Sequence, residues 1–365
     1  MRFSVSIVVG LFFIGLFWGC EKDTDPASGP EAYFSVDTSI VQRGDTIHFV
    51  NESQNAISCV WDFGDGYYSD EQNPDHIYEN SGKYNVILSA INGADTNTYS
   101  GEIFIKDITV MTYNIAFSGG AVPDLYEMWN NDGYSAWTSD RRSELLKIIR
   151  QVNPDILGIQ EAFVWDSDEP KVYERFADSL GMEYYYYPEY EEAEWNGICI
   201  FSKFPIESTA FYLHQPCVSD QTYNGTYSVK SVLRITDNRT IDIYSCHLMF
   251  QVPGAQTCEV ENLSETLKTG FNPNTILMGD MNYNISRNNG EYYYQLLSES
   301  GLSYLHSENE TEGPQYIDQI WSSANLYDKS LVYNYYNIER LFDTETRQLL
   351  DVASDHYPAV AFFGF

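Results

Sequence analysis

From Asp107 onward the chain is a succession of short apolar runs: "DITVMTYNI", "DILGIQEAF", "NGICIFSKFPI", "YSVKSVLRI", "TIDIYSCHLMF", "NTILMGDMN", "YIDQIWSS" and "HYPAVAFF". The runs alternate too little with polar residues to leave one face in water, so each strand must be covered on both sides. Covered strands demand layers, with sheets packed on one another or beneath helices. "SDRRSELLKIIRQV" supplies a helix whose apolar face is Leu145, Leu146, Ile148, Ile149 and Val152. Asp140 is its expected N-cap, and Pro154 stops it.

The segment before Asp107 has a different texture. Between residues 31 and 106, short alternating runs such as "AYFSVD", "TIHFVNES", "CVWDFGDG" and "YNVILSAIN" are separated by Gly, Asn, Asp and Pro, the pattern of a small all-β sandwich. The aspartates of "DFGDG" could hold calcium, but Asp and Gly at this spacing are first of all turn formers. Residues 21–30, "EKDTDPASGP", read as a flexible tether. Residues 1–20 place one Arg ahead of an apolar stretch that ends in Gly19-Cys20. This is an export signal, somewhat short for a membrane span and with no basic stop-transfer cluster after it. Gly19-Cys20 resembles the cleavage site of bacterial lipoprotein signal peptides, which implies lipidation of Cys20 and an exported chain anchored to the outer membrane or cell surface of a bacterium.

Charge and cysteine usage narrow the chemistry. Lys and Arg number 20 against 53 Asp and Glu, a formal net charge of −33, and such a surface repels polyanions unless a bound cation or a local basic patch reverses the field. No CxxC pair points to a zinc ribbon or a thioredoxin-like site. Cys199 and Cys246 lie in apolar runs and read as buried thiols, while Cys217 and Cys258 lie in loop-like sequence and could pair. There is no GxxxxGK[ST] loop and no GxSxG elbow, so neither a P-loop nucleotide hydrolase nor a serine hydrolase is supported.

The polar residues at the ends of the apolar runs point to a site. Asn114, Glu161, His247, Asp280 with Asn282, Asp318, and the pair Asp355-His356 each stand at one end of a buried run. Singly, any of them is an ordinary turn residue; together they imply one cleft at one edge of the sheets. Carboxylates and amides without thiolates suit a hard cation, Mg²⁺ or Mn²⁺, more than zinc. A hard cation goes with phosphate, with an aspartate to take a proton from water and a histidine to give one to the leaving oxygen.

The wording and order of these blocks carry two resemblances. "WDFGDG", "NPDHIY" and "GKYNV" resemble the PKD domain, which implies an immunoglobulin-like module over 31–106 that spaces the chain or touches a surface glycan or protein. "MTYNI", "PDILGIQEA", "NGICIFSKFPI", "YSCHL", "ILMGDMN", "YIDQIW" and "ASDHYP" follow one another as do the signature blocks of the endonuclease/exonuclease/phosphatase superfamily. That resemblance covers 107–365 and implies an α/β (α+β) four-layer αββα sandwich, DNase I-like, with the site at the rim of two facing sheets. It further implies Asn114, Glu161 and Asp355 as metal ligands, and Asp280 as the group that orients or deprotonates water, with Asn282 beside it. By the same resemblance His356 is expected to be held by Asp318, His247 to be the second catalytic histidine, and Lys230 to be a basic phosphate contact.

No partner for His247 is identifiable, although Glu189, Glu191 and Glu192 lie in a plausible segment. The expected substrate is a phosphate ester: nucleic acid, phospholipid head group, sugar phosphate or nucleotide. Scarce Lys and Arg tilt the choice away from nucleic acid. The competing expectation is a non-catalytic surface protein that keeps the fold to hold a glycan or a protein partner. "EYYYYPEYEEAEW", residues 183–195, reads as an edge strand and loop, or else as an aromatic rim for substrate.

Overall fold

The computed structural model describes residues 29–115, 134–162, 172–188, 197–214, 226–248, 254–286, 289–307, 316–327, 330–334, 337–354 and 356–365. Cys20, Asp355, Cys217 and Glu189, Glu191 and Glu192 lie outside them. Among the described residues no helix is long and apolar enough to cross a membrane.

The N-terminal strands are Phe34–Ser35 (β1), Ile40–Gln42 (β2), Thr46–His48 (β3), Val50–Asn51 (β4), Ser58–Asp62 (β5), Tyr68–Ser69 (β6), Asp75–Ile77 (β7), Gly82–Asn92 (β8) and Asp95–Lys106 (β9). They form a five-stranded sheet in the order β2-β9-β8-β5-β6 together with the small pairs β1-β4 and β3-β7. The inward positions of β5 and β8 (Cys59, Trp61, Val86, Leu88) pack with Phe34, Phe49 and Ile103 into one core. Asp62 Oδ1 accepts from the Gly64 N–H at 2.9 Å and Asp65 Oδ1 from the Tyr67 N–H at 3.1 Å, so the "DFGDG" aspartates form turns.

The second region begins at Ile108–Asn114 (β10), which follows β9 after the single residue Asp107 and belongs to another sheet. It proceeds through Tyr134–Val152 (α1), Ile156–Gln160 (β11), Val172–Leu180 (α2), Tyr184–Tyr186 (β12), Cys199–Ser202 (β13), Ile206–His214 (β14), Thr226–Thr236 (β15) and Arg239–His247 (β16). Ala255–Thr269 (α3), Thr275–Asp280 (β17), Gly290–Glu299 (α4), Leu302–Tyr304 (β18), Asp318–Ser323 (β19), Ala324–Tyr327 (α5), Ser330–Tyr333 (β20), Thr344–Ala353 (α6) and Ala359–Phe363 (β21) complete it. Two six-stranded sheets result, in the orders β12-β13-β11-β10-β21-β20 and β14-β15-β16-β17-β19-β18.

Side-chain parity divides the strands between three cores. The inward residues Ile108, Val110, Ile156, Val229, Ile243, Ile276 and Met278 meet between the sheets. The alternate residues Met111, Tyr113, Leu157 and Ile159 face outward onto α1, α2 and α6. On the other sheet Tyr244, Cys246 and Leu277 face outward onto α3 and α4. Each buried aliphatic side chain contributes about 1.5–3 kcal/mol, and only a helix–sheet–sheet–helix sandwich buries both faces of both sheets. The apolar runs required covered layers, and the architecture is the four-layer αββα sandwich that the family resemblance implied.

Helix α1 corrects one expectation. It starts at Tyr134, so Asp140 lies inside it and is not its N-cap. No Gly or Pro stands between 134 and 140, and nothing there stops the helix from propagating toward its N-terminus. Its other end is as expected. Asn153 turns left-handed at φ 51° with its N–H on the Ile149 carbonyl, and Pro154 follows.

Asp107 joins the two regions. Its carboxylate accepts from Arg43 Nε at 2.5 Å and from the Phe365 N–H at 2.7 Å. The same Phe365 N–H reaches Ser81 Oγ at 2.8 Å, and the Asp107 carbonyl accepts from Gln42 Nε2 at 3.0 Å. Phe104 of β9 packs into the core beneath α1 and α6, so the β-sandwich is docked on the layered region by both polar and apolar contacts.

Candidate active site

Each sheet contains one parallel pair joined by a helical crossover: β10–α1–β11 in one, β16–α3–β17 in the other. In open α/β sheets the carboxyl ends of parallel strands are where ligands sit, because helix and loop must leave the sheet there. Asn114 and Glu161 stand at the carboxyl ends of β10 and β11, and His247 and Asp280 at those of β16 and β17. The parity that sends Val110, Ile243, Ile276 and Met278 into the interlayer also sends Asn114, His247 and Asp280 inward, toward one another. Asp318 opens β19, antiparallel to β17, and its register partner is Asp280.

Three backbone features bring these side chains close. Gly279 has φ 143° and pairs with Cys246; a Cβ there would lie 2.0 Å from the Cys246 carbonyl oxygen, so only glycine lets β17 approach β16 at its end. Glu161 adopts φ 60°, a left-handed conformation rare for a residue of its size and typical of functional turns. Asn282, at φ 51°, turns the chain back after Asp280, its N–H donating to Asp280 Oδ1 at 2.8 Å and its Nδ2 to the Leu248 carbonyl at 2.7 Å.

The centre of the arrangement is Asp280 Oδ2, a carboxylate oxygen of a residue 1% exposed. Asn114 Nδ2 donates to it at 3.0 Å and to Glu161 Oε1 at 2.9 Å, so one amide holds carboxylates from both sheets. His247 Nε2 lies 3.5 Å from Asp280 Oδ2 and 3.6 Å from Glu161 Oε1. His356 Nε2 lies 3.9 Å from the same Asp280 oxygen, and its Nδ1 is 2.8 Å from Asp318 Oδ2. Ser354 ties this histidine to β10, donating its hydroxyl to the Asn114 carbonyl at 2.8 Å and accepting the His356 N–H at 3.1 Å. Beneath the site the Cys246 thiol is pushed up by burial and further by the Asp280 charge, which keeps it protonated and inert.

Seven of the residues anticipated from sequence therefore meet: Asn114, Glu161, His247, Asp280, Asn282, Asp318 and His356. Their donor atoms form two overlapping groups, Glu161–His247–Asp280 and Asp280–Asp318–His356, each compact enough to enclose a cation. Carboxylates with an imidazole and no thiolate fit Mg²⁺ or Mn²⁺. Asp355 and the glutamates considered for His247 lie outside the described residues, as does Cys217, while Cys258 is disulfide-bonded.

Lys230 is not brought to the cleft. It points to the outer face of its sheet, 2.5 Å from Asp242 Oδ2 and over the Tyr244 ring at 5.2 Å. Asp242 precedes His247 by five residues of strand, roughly 16 Å. The lysine neutralises a buried carboxylate there. Three buried polar residues of the interlayer escaped sequence reasoning: Thr112, Gln160 and Ser245, joined by hydrogen bonds one layer below the site. Their signal was faint, an uncharged polar residue one or two positions before the site residue in each apolar run.

Residues 111–356 match the Endonuclease/Exonuclease/phosphatase family, and residues 27–106 match the PKD domain. Among solved structures, ANGEL2, described as a 2′,3′-cyclic phosphatase and crystallised with adenosine-2′,3′-vanadate, is 15% identical with a TM-score of 0.51, covering 71% of this chain and 95% of its own. An endonuclease/exonuclease/phosphatase from Beutenbergia cavernae DSM 12333 is 14% identical with a TM-score of 0.49, covering 71% of this chain and 72% of its own. A mannosyl-6-phosphatase of Bacteroides thetaiotaomicron VPI-5482 is 16% identical with a TM-score of 0.47, covering 71% of this chain and 100% of its own. No curated protein matches the chain. With about two thirds of its length matched, the chain belongs to the Endonuclease/Exonuclease/phosphatase family.

Proposed function

We propose that the protein is a divalent-metal-dependent phosphoesterase, acting foremost on phosphodiesters, exported and held at the bacterial surface by a lipid on Cys20. The observation that carries the catalytic part is the convergence of Asn114, His247 and His356 on one oxygen of Asp280. Glu161 and Asn114 would hold Mg²⁺ or Mn²⁺, with Asp355, outside the described residues, as the third ligand the family resemblance implies. The cation supplies neutralisation of the phosphoryl oxygens and polarisation of phosphorus.

The chain's own groups account for the proton traffic. Asp280 accepts the proton of the attacking water, and its other oxygen is fixed by the Asn282 N–H so that Oδ2 keeps its aim. His356 is oriented by Asp318 through Nδ1, which leaves Nε2 toward the reacting centre to contact phosphate or donate a proton. His247 serves the leaving side with Nε2. Burial of Asp280 and Asp318 excludes bulk water, strengthening each of these interactions. The scarcity of Lys and Arg favours a phospholipid head group, sugar phosphate or nucleotide over nucleic acid.

The test is a substrate panel offered to residues 21–365 with Mg²⁺ and with a chelator, Glu161→Ala serving as the contamination control. It comprises supercoiled DNA, phospholipid vesicles, sugar phosphates and nucleotides. Metal-dependent turnover of one class that vanishes in Glu161→Ala supports the proposal and names the substrate. No turnover of any class, with no thermal stabilisation by Mg²⁺ or Mn²⁺, leaves the non-catalytic binding protein as the better reading.

A further inference from the structure

Below the site most of the interlayer is apolar, and a hydrogen-bonded polar cluster lies where β10, β11 and β16 pass one another. The two sheets leave little room there. A Cβ on Gly158 would sit 2.6 Å from Met278 Cε and 3.2 Å from Ser245 Oγ of the opposite sheet. One pair further along β11, on the same inward face, stands Gln160, fully buried. Its Nε2 donates across the gap to Ser245 Oγ at 3.1 Å and sideways to Thr112 Oγ1 at 3.1 Å. A buried amide costs free energy unless it is hydrogen-bonded, so this one is stable only where both hydroxyls stay in place.

We propose that Gln160 is a positioning residue of the active site: its amide bridges the two facing sheets one layer below and sets the separation of Asn114 and Glu161 from His247 and Asp280. The inference rests on the phosphoesterase reading of that site and extends it to a residue that touches neither substrate nor cation. Each member of the bridge stands directly behind a site residue on its own strand. Thr112 precedes Asn114 by two residues, Ser245 precedes His247 by two, and Gln160 is adjacent to Glu161. Apolar contacts between sheets are non-directional and permit sliding; a hydrogen-bonded amide fixes distance and register. Productive constellations tolerate only about 0.5 Å of error, and residues that support metal ligands from behind are typically worth 10–100-fold in affinity.

The experiment compares wild type, Gln160→Met, Ser245→Ala and the double variant as full chains, by Mg²⁺ calorimetry and by NMR of the histidine ring protons without metal. Gln160→Met keeps the volume and removes the bridge; Ser245→Ala removes it from the other sheet with minimal change, and decides the matter if the first variant does not fold. The expected result is a roughly 10-fold or greater loss of Mg²⁺ affinity in either single variant. The double variant should be no weaker, and the His247 resonances should move while those of His48 and His76 in the N-terminal sandwich do not. Wild-type Mg²⁺ affinity with superimposable His247 signals would overturn the proposal. Should wild type itself bind no Mg²⁺, the phosphoesterase reading falls, and the His247 comparison alone accepts or rejects the positioning role.

Discussion

Asn114 and Asp280 belong to different sheets, yet the amide of the first donates to the carboxylate of the second at 3.0 Å. The same amide nitrogen reaches Glu161 at 2.9 Å. Two carboxylates from opposite sheets are thereby held together by a neutral donor, in the position where a cation would do the same work with more charge.

Replacing that donor exposes the arrangement. Asn114→Asp removes both hydrogen bonds and adds a third carboxylate. The metal-free protein should lose about 2 kcal/mol, the worth of hydrogen bonds to charged groups, or roughly 4–8 °C in Tm. Mg²⁺ should restore more of the variant's Tm than it adds to wild type. Thermal unfolding with and without Mg²⁺ checks this; equal metal-free Tm values would show that the amide does not hold the carboxylates.

Asp318 and His356 should behave as a unit. Asp318→Asn, which weakens the grip on His356 Nδ1, is expected to lower kcat/KM by about 10²-fold, within the range of a general acid–base contribution. His356→Ala should cost at least as much, and the double variant no more than His356→Ala alone. Additive losses would mean that the two residues act separately.

His214 gives the fold an acid sensitivity of its own. Burial pushes its imidazole down to about 4, against about 6.5 in the unfolded chain. Between those values the unfolded chain binds a proton that the folded chain refuses. Its contribution is therefore complete above pH 6.5 and is lost as pH falls, by up to about 3 kcal/mol near pH 4. Denaturant unfolding from pH 7 to 4 should show a shallower decline in His214→Leu; an identical slope would remove His214 from the account.

The Asp107 junction predicts shared unfolding. Asp107→Ala leaves Arg43 without its carboxylate and costs the Phe365 N–H one acceptor, so stability should fall by about 1–2 kcal/mol. Wild type should melt in one transition. Two wild-type transitions, with only one moved by the variant, would show that the β-sandwich and the layered region unfold independently.

Where the sequence was readable and where it was not follows from the same geometry. Asn114, His247 and Asp280 stand at the ends of apolar runs with the parity of inward residues, and both properties are visible in one dimension. That the strands must lie in covered layers was visible too, since strands apolar on both faces need covering twice; the number and order of the layers came from the family resemblance. Lys230 misled because a basic residue entering a strand carries no mark of which face it takes, and its partner Asp242 lies across a hairpin. Asp140 misled because a good capping residue is also tolerated inside a helix once its neighbours permit extension. Gln160, Thr112 and Ser245 stayed hidden because three isolated polar residues become a network only when two sheets are stacked.

The most direct test of the central claim is hydrolysis of bis(p-nitrophenyl) phosphate by wild type and Asp280→Asn, each with Mg²⁺ and with a chelator. Wild type should release nitrophenol only with metal, and a folded Asp280→Asn should do so about 10²- to 10⁴-fold more slowly. A variant that turns over at the wild-type rate, or a wild-type rate indifferent to the chelator, would contradict it.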